Sequence, residues 1–256
     1  MNMLVSGAAM VPPAIALSAC YERRRFWRHE NYHLINRSLL FIGLGFLLLI
    51  PSLNSIGDGI FAVVGIANLE DITGITLFLV GAQHLTLHLL FVNRRLTGLL
   101  ARQLSLATTI VVVLVWILFL LGPMSHVTGS TIHTQQTGIL WGVVGLWCSI
   151  LFTALGLSAL RMINCTIGLT RKISVFYLLA ALFGLASCVH RIYEVTVVDS
   201  GPLPAHMLIT DYSLRAAMLI GLAIAGHMSF KRLTKPLVIP DVWPPRDNHW
   251  DRKSNA

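Results

Sequence analysis

The chain has 256 residues, of which 55% are apolar and only 12% are charged, and its mean hydropathy is +0.72. A soluble domain normally carries about a quarter charged residues, so this composition excludes a soluble globular protein and predicts a chain that largely faces lipid. The net charge of +8 does not indicate nucleic-acid binding, because the basic residues lie in short clusters at the ends of apolar stretches.

Seven apolar stretches are long enough to cross a bilayer. A crossing of about 30 Å of hydrocarbon takes roughly 20 apolar residues, and in lipid a helix satisfies its backbone hydrogen bonds within one segment. We therefore predict an all-α polytopic membrane protein, with a transmembrane domain at residues 1–228 and a short cytoplasmic tail at residues 229–256. The predicted helices are Met3–Cys20, Ser38–Gly57, Ile72–Val92, Leu104–Leu121, Ile139–Leu160, Ile173–His190 and Thr210–Met228.

The basic residues predict the orientation of these helices. Seventeen of the nineteen Lys and Arg residues lie in alternate gaps between the stretches, and basic loops are retained in the cytoplasm. No basic residue precedes the first stretch, so we predict an uncleaved helix with its N-terminus outside rather than a signal peptide, although Leu17–Cys20 resembles a lipoprotein cleavage box. The tail is then cytoplasmic, in a multi-pass protein of a bacterial plasma membrane. The basic gaps are 21–37, 93–103, 161–172 and the segment after Met228.

The third stretch carries the polar side chains that lie deepest in the predicted membrane. His84 and His88 are four residues apart and therefore share one helix face. Neutral imidazoles at this spacing suit a transition metal, or one of them suits haem iron, with His227 at the end of the seventh stretch as a further ligand. Two alternatives stay open, namely hydrogen bonds between neighbouring helices and a proton relay. Hydrogen bonding is the commoner role, so we expect no cofactor.

Two charge pairs stand near the outer ends of the sixth and seventh stretches. Arg191 and Glu194 are three residues apart, and Asp211 and Arg215 are four apart, so each pair can close on its own helix. The structural interpretation is a pair of salt-bridged helix ends. The functional alternative is an anion-binding vestibule at these four residues, in which Arg191 and Arg215 face a common outward cavity.

Motifs with known chemistry are absent from the sequence. It contains no Gly-rich phosphate loop, no HExxH motif and no nucleophile elbow, so we predict that the protein is not an enzyme. The spacing of Gly138 and Gly142 predicts a close helix contact. The cysteines form no CxxC pair, and three of them lie in or beside apolar stretches, so we interpret all four as small packing residues. They are Cys20, Cys148, Cys165 and Cys188.

Three features together point to a group of proteins. They are the first helix with its basic loop, the segment Ala67-Asn68-Leu69 before the polar third stretch, and Arg191-Ile192-Tyr193 at the end of the sixth. With these features residues 1–235 resemble actinobacterial seven-helix integral membrane proteins that are described as transporters or regulators. The resemblance implies a seven-helix membrane fold and a role in regulation or transport, and it supplies no site residue.

We therefore expect a non-enzymatic membrane protein of sensory or regulatory type. Its outer loops would sense a signal, and its basic cytoplasmic loops would contact a protein partner at residues 21–37 and the tail. A small-solute transporter or transporter subunit is the first alternative, although the sequence lacks the internal repeat of many transporters. The second alternative is a haem- or metal-binding redox protein that uses His84, His88 and His227.

Overall fold

The described part of the chain is built from helices and the turns between them. The computed structural model describes residues 3–24, 33–50, 59, 61–93, 97–126, 135–197 and 205–234. In these ranges there is no strand, which confirms the all-α class. The long helices are α1 (Met3–Glu22), α2 (His33–Leu48), α3 (Leu69–Val92), α4 (Gly98–Leu121), α5 (Gln135–Cys165), α6 (Gly168–Val197) and α7 (Ala205–Thr234).

Five of these helices, α3 to α7, are long and apolar enough to cross a membrane. Helix α2 is also apolar but has 16 residues, fewer than a crossing of about 30 Å usually needs. Long apolar helices of this kind confirm a membrane-embedded chain.

Several boundaries differ from the predicted ones. Helix α2 ends at Leu48, so the predicted second helix is wrong for Leu49 and Ile50, and residues 51–57 lie outside the described residues. Pro51 supplies the reason, because proline disfavours helical geometry in the residue before it. The predicted loop 21–37 is partly helical, since α1 reaches Glu22 and α2 begins at His33.

The last helix also runs further than predicted. Helix α7 continues to Thr234, so residues 229–234 of the predicted tail are helical. The remainder of the tail, residues 235–256, lies outside the described residues, as do residues 25–32 of the predicted partner loop.

Glycines allow α2 and α3 to approach closely. A Cβ atom added at Gly45 would lie 2.7 Å from the carbonyl oxygen of Gly74, so the two backbones touch there. Small residues are the usual means of such approach between membrane helices. The predicted contact at Gly138 and Gly142 is wrong for Gly142, because an added Cβ atom there would meet no described atom within 4 Å.

Helix α4 lies at the periphery of the bundle. Only 17% of its most apolar stretch is buried, against 56% in α3, and outward apolar side chains are what a lipid-facing helix requires. Indole hydrogen bonds attach α4 to its neighbours. Trp116 Nε1 donates to Thr76 Oγ1 of α3 at 2.9 Å, and Trp147 Nε1 of α5 donates to Thr108 Oγ1 at 3.2 Å.

The order of contacts between helices defines two ends of the bundle. Consecutive helices pack against each other from α1 to α7, and α1 and α2 both contact α7. We name the outer end after the predicted topology: it holds the first turns of α3, α5 and α7 and the last turns of α6. The inner end holds the last turns of α1 and α7 and the first turn of α2.

Candidate functional site at the outer end

Both predicted charge pairs close on their own helices. On α6, Arg191 Nη1 donates to Glu194 Oε2 at 2.7 Å, and on α7, Arg215 Nε donates to Asp211 Oδ1 at 2.9 Å, with a second contact between Nη2 and Oδ2. The Asp211 and Glu194 side chains are almost completely buried, at 5% and 0% exposure, so each carboxylate has its cation beside it. This pairing lets the two helices carry charge into an apolar environment.

Neighbouring helices add contacts to these pairs. Ser187 Oγ on α6 donates to Asp211 Oδ1 at 3.0 Å, which links α6 to α7. The Arg191 guanidinium lies over the ring of Trp141 on α5, 4.2 Å from its centroid. Such cation–π contacts stabilise a buried guanidinium by about 1–2 kcal/mol.

Some polar atoms of this cluster have no hydrogen-bond partner among the described residues. They include Arg191 Nε, a buried donor, and Glu194 Oε1, a buried acceptor. His190 Nε2 lies 3.9 Å from Glu194 Oε1, which is beyond hydrogen-bond distance. A buried polar atom without a partner costs about 1–3 kcal/mol, so the cluster favours a further polar group that would accept from Arg191.

A cavity of about 60 Å³ lies beside the two ion pairs. One water molecule needs roughly 10–15 Å³ of such space, so the cavity has room for a small solute. Arg191, Arg215 and Trp141 line it, while most of its other walls are apolar side chains such as Phe46 and Phe78. The two guanidiniums thus share one cavity, and their partners Glu194 and Asp211 are not part of its lining. Ligand binding at these four residues stays a prediction.

Two acidic residues that sequence reasoning left out of the site lie near it. Glu70 is buried and Asp71 is half-buried in the first turn of α3, and the charges of Arg191 and Arg215 act on Asp71. The signal was present in the sequence, because alternating topology places residues 70 and 71 on the same side as the two arginines. With Glu70 and Asp71 included, four carboxylates accompany two guanidiniums, so the cluster has no formal positive charge and a bound anion would have to contact the guanidiniums directly.

The three histidines that were predicted as metal or haem ligands have separate surroundings in the described part of the structure. The His84 Nδ1 atom lies 2.7 Å from the Val80 carbonyl oxygen one turn earlier on α3. His88 Nδ1 is buried without a partner among the described residues. His227 Nδ1 lies 2.8 Å from Glu22 Oε2, where both side chains are 40% exposed. In the described ranges no three His, Cys, Asp or Glu side chains come together as a metal site, so haem or metal ligation by these histidines stays a prediction.

Sequence reasoning missed the role of Arg23. It treated this residue as part of a cytoplasmic basic cluster, but the side chain is 1% exposed at the inner end. Its Nε donates to Asn36 Oδ1 at 2.7 Å, and its Nη1 donates to the Gly226 carbonyl oxygen at 3.0 Å. One arginine therefore joins α1 to α2 and α7. The sequence offered no signal that would separate Arg23 from the neighbouring arginines.

No protein-family model, no curated protein and no solved structure is detectably similar to this chain. The resemblance to actinobacterial seven-helix membrane proteins therefore stays a prediction.

Proposed function

We propose that this chain is a non-enzymatic integral membrane protein of sensory or regulatory type, which binds a small anion in the cavity at its outer end. Arg191 and Arg215 contact the anion, Glu194 and Asp211 hold the two guanidiniums in place, and the basic cytoplasmic segments at residues 21–37 and the tail contact a protein partner. The observation that carries the proposal is that the guanidiniums of Arg191 and Arg215 line one cavity.

The size and lining of the cavity limit the ligand. About 60 Å³ accommodates a halide or a short-chain carboxylate. Arg191 Nε has no acceptor among the described residues, and an anion is the acceptor that a guanidinium binds best. The apolar walls lower the local dielectric constant, which strengthens a direct contact between charges.

A titration with acetate, propionate and chloride tests the anion site. The full chain in lipid nanodiscs is titrated while tryptophan fluorescence is followed, because Trp141 contacts Arg191 at the cavity. We expect a saturable change in emission with at least one of these anions. Trp141→Phe removes the signal if it originates at the cavity.

A charge-neutral double variant gives the decisive comparison. Asp211→Asn combined with Arg215→Gln removes one guanidinium without leaving a buried carboxylate unpaired, so we expect folding with loss of the response. The matched control is Glu22→Gln with His227→Gln, which neutralises a pair at the inner end and should keep the response. An unchanged titration in the first double variant, or no response in the native protein, would contradict the proposal.

We further propose seven crossings, with the N-terminus outside and the tail in the cytoplasm of a bacterial plasma membrane. The basic gaps support this topology, and so does the hydrogen bond from Arg23, which follows α1, to the Gly226 carbonyl oxygen in the last turns of α7. Reporter fusions test it: green fluorescent protein after Ala256 should fluoresce in cells, whereas alkaline phosphatase at the same place should be inactive. The reverse pattern would overturn the topology.

A further inference from the structure

Three sulfur-bearing side chains from three helices meet at the outer cavity. Cys148 of α5, Cys188 of α6 and Met218 of α7 all line it, and their exposed fractions are 2%, 8% and 1%. The two thiols belong to neighbouring helices that pack against each other, and both line this one cavity. Sequence reasoning interpreted both cysteines as packing residues. Packing residues fill space, whereas these line a cavity larger than most voids in a protein interior.

Cys188 and Met218 form a sulfur-bearing layer, called the sulfur layer, deeper in the bundle than the arginines on their helices. Cys188 precedes Arg191 by three residues on α6, and Met218 follows Arg215 by three on α7. At a rise of 1.5 Å per residue, each of these positions lies about 4.5 Å deeper in the bundle than the arginine on the same helix. The sulfur layer therefore offers its own ligand chemistry, independent of an anion at the guanidiniums.

We propose that Cys148, Cys188 and Met218 form a binding site for a soft monovalent metal ion, copper(I). Thiolate and thioether sulfur are the ligands that select copper(I) among biological metals. Zinc would call for three or four Cys, His or carboxylate ligands, and no such group occurs in the part of the chain that the structure describes. The thioether of Met218 adds a ligand that zinc sites do not use.

The ligand set determines the charge of the copper(I) complex. Binding of one copper(I) by two thiols releases two protons and leaves a complex with one negative charge. Arg191 and Arg215 line the same cavity, and each is already paired with a carboxylate on its own helix, so the complex would lie beside two neutral ion pairs. Thiolate and thioether ligands themselves favour the reduced state of copper, because they are soft ligands.

Competition for copper(I) tests the site. The full chain in detergent is reduced, and alkylation of a denatured sample confirms that all four cysteines are thiols. Copper(I) is then titrated without oxygen in the presence of bicinchoninate, whose colour reports the copper that the protein does not hold. We expect the native protein to withdraw one copper(I) per chain from the chelator.

Conservative variants locate the binding. Cys148→Ser and Cys188→Ser each remove a proposed ligand, so each variant should bind copper(I) much more weakly than the native protein. The loss of affinity should exceed the roughly 10–100-fold that follows when a residue that only supports a metal ligand is removed. Met218→Leu keeps the volume and should weaken binding less. Cys20→Ser with Cys165→Ser is the matched control, because these cysteines lie away from the cavity lining, and it should bind like the native protein.

The outcomes separate this proposal from the anion site. The proposed copper(I) site would be overturned if the native protein took up no copper(I). It would also be overturned if uptake were unchanged in Cys148→Ser, Cys188→Ser or Met218→Leu. The Asp211→Asn and Arg215→Gln double variant should still take up copper(I), because its three sulfur atoms remain. Loss of the anion response with copper(I) uptake intact is therefore the expected behaviour of that variant.

Discussion

The two ends of the bundle use arginine in different ways. At the outer end, Arg191 and Arg215 each close on a carboxylate one turn away on the same helix, so each helix is neutral before it packs. At the inner end, Arg23 donates to the neutral oxygens of Asn36 and Gly226, which belong to two other helices. The outer pairs are local, whereas the inner arginine depends on tertiary structure. This difference teaches that a cationic side chain near a membrane boundary can be either a helix-end charge or a structural link.

The comparison predicts that the inner link contributes most to stability. Arg23→Ala leaves a cavity and two buried acceptors without their donor, so we expect the free energy of unfolding to fall by about 3–5 kcal/mol. Reversible unfolding in mixed micelles measures it. Arg24→Ala is the matched control, because Arg24 is exposed and contacts the Tyr21 ring, and it should cost about 1 kcal/mol or less. Equal losses in both variants would contradict the role of Arg23 as a link between helices.

At the outer end, removing one partner of the Asp211–Arg215 pair should lower the free energy of unfolding, and removing both partners should restore most of it. Arg215→Gln leaves the buried Asp211 carboxylate without its cation, and we expect a loss of about 2–3 kcal/mol because the Arg215 side chain itself is 18% exposed. Adding Asp211→Asn should restore most of that loss. The same unfolding experiment measures both variants, and a double variant no more stable than Arg215→Gln would show that the carboxylate is not the cause.

The hydrogen bond between α6 and α7 at the outer end should have a smaller effect. Ser187→Ala removes the donor to Asp211 Oδ1, and we expect a loss of about 1 kcal/mol. Ser213→Ala on α7 is the matched control, because this exposed hydroxyl donates to the Ile209 carbonyl oxygen of its own helix. That variant should stay within about 0.5 kcal/mol of the native protein. A larger loss at Ser213 than at Ser187 would contradict the assignment of the contact between helices.

The smallest effect is expected at the exposed pair of the inner end. Glu22 and His227 are 2.8 Å apart and 40% exposed, and exposed pairs contribute about 0–1 kcal/mol. Glu22→Gln should therefore change the free energy of unfolding by about 0.5 kcal/mol or less, and any difference should shrink in high salt. A loss as large as that of Arg23→Ala would mean that exposed contacts also link α1 to α7.

Only part of the candidate site was predictable from spacing. Arg191 with Glu194 and Asp211 with Arg215 were predictable, because residues three or four apart on a helix are always neighbours. The approach of Cys148 to Cys188 was not, because it depends on how α5 and α6 are rotated against each other. The same reason explains the error at Gly142, since spacing of small residues does not say which helix face meets a partner.

Composition and periodic apolarity determined that this chain is helical and embedded in a membrane, because an apolar segment in lipid must satisfy its own backbone hydrogen bonds. They also determined the ion pairs that lie within single helices. Tertiary structure alone decided that Arg23 reaches Gly226, 203 residues away, and that two arginines and three sulfur atoms line one cavity. Lipid is as apolar as the helix surfaces, so hydrophobicity does not select the faces that meet; close packing and hydrogen bonds between helices do.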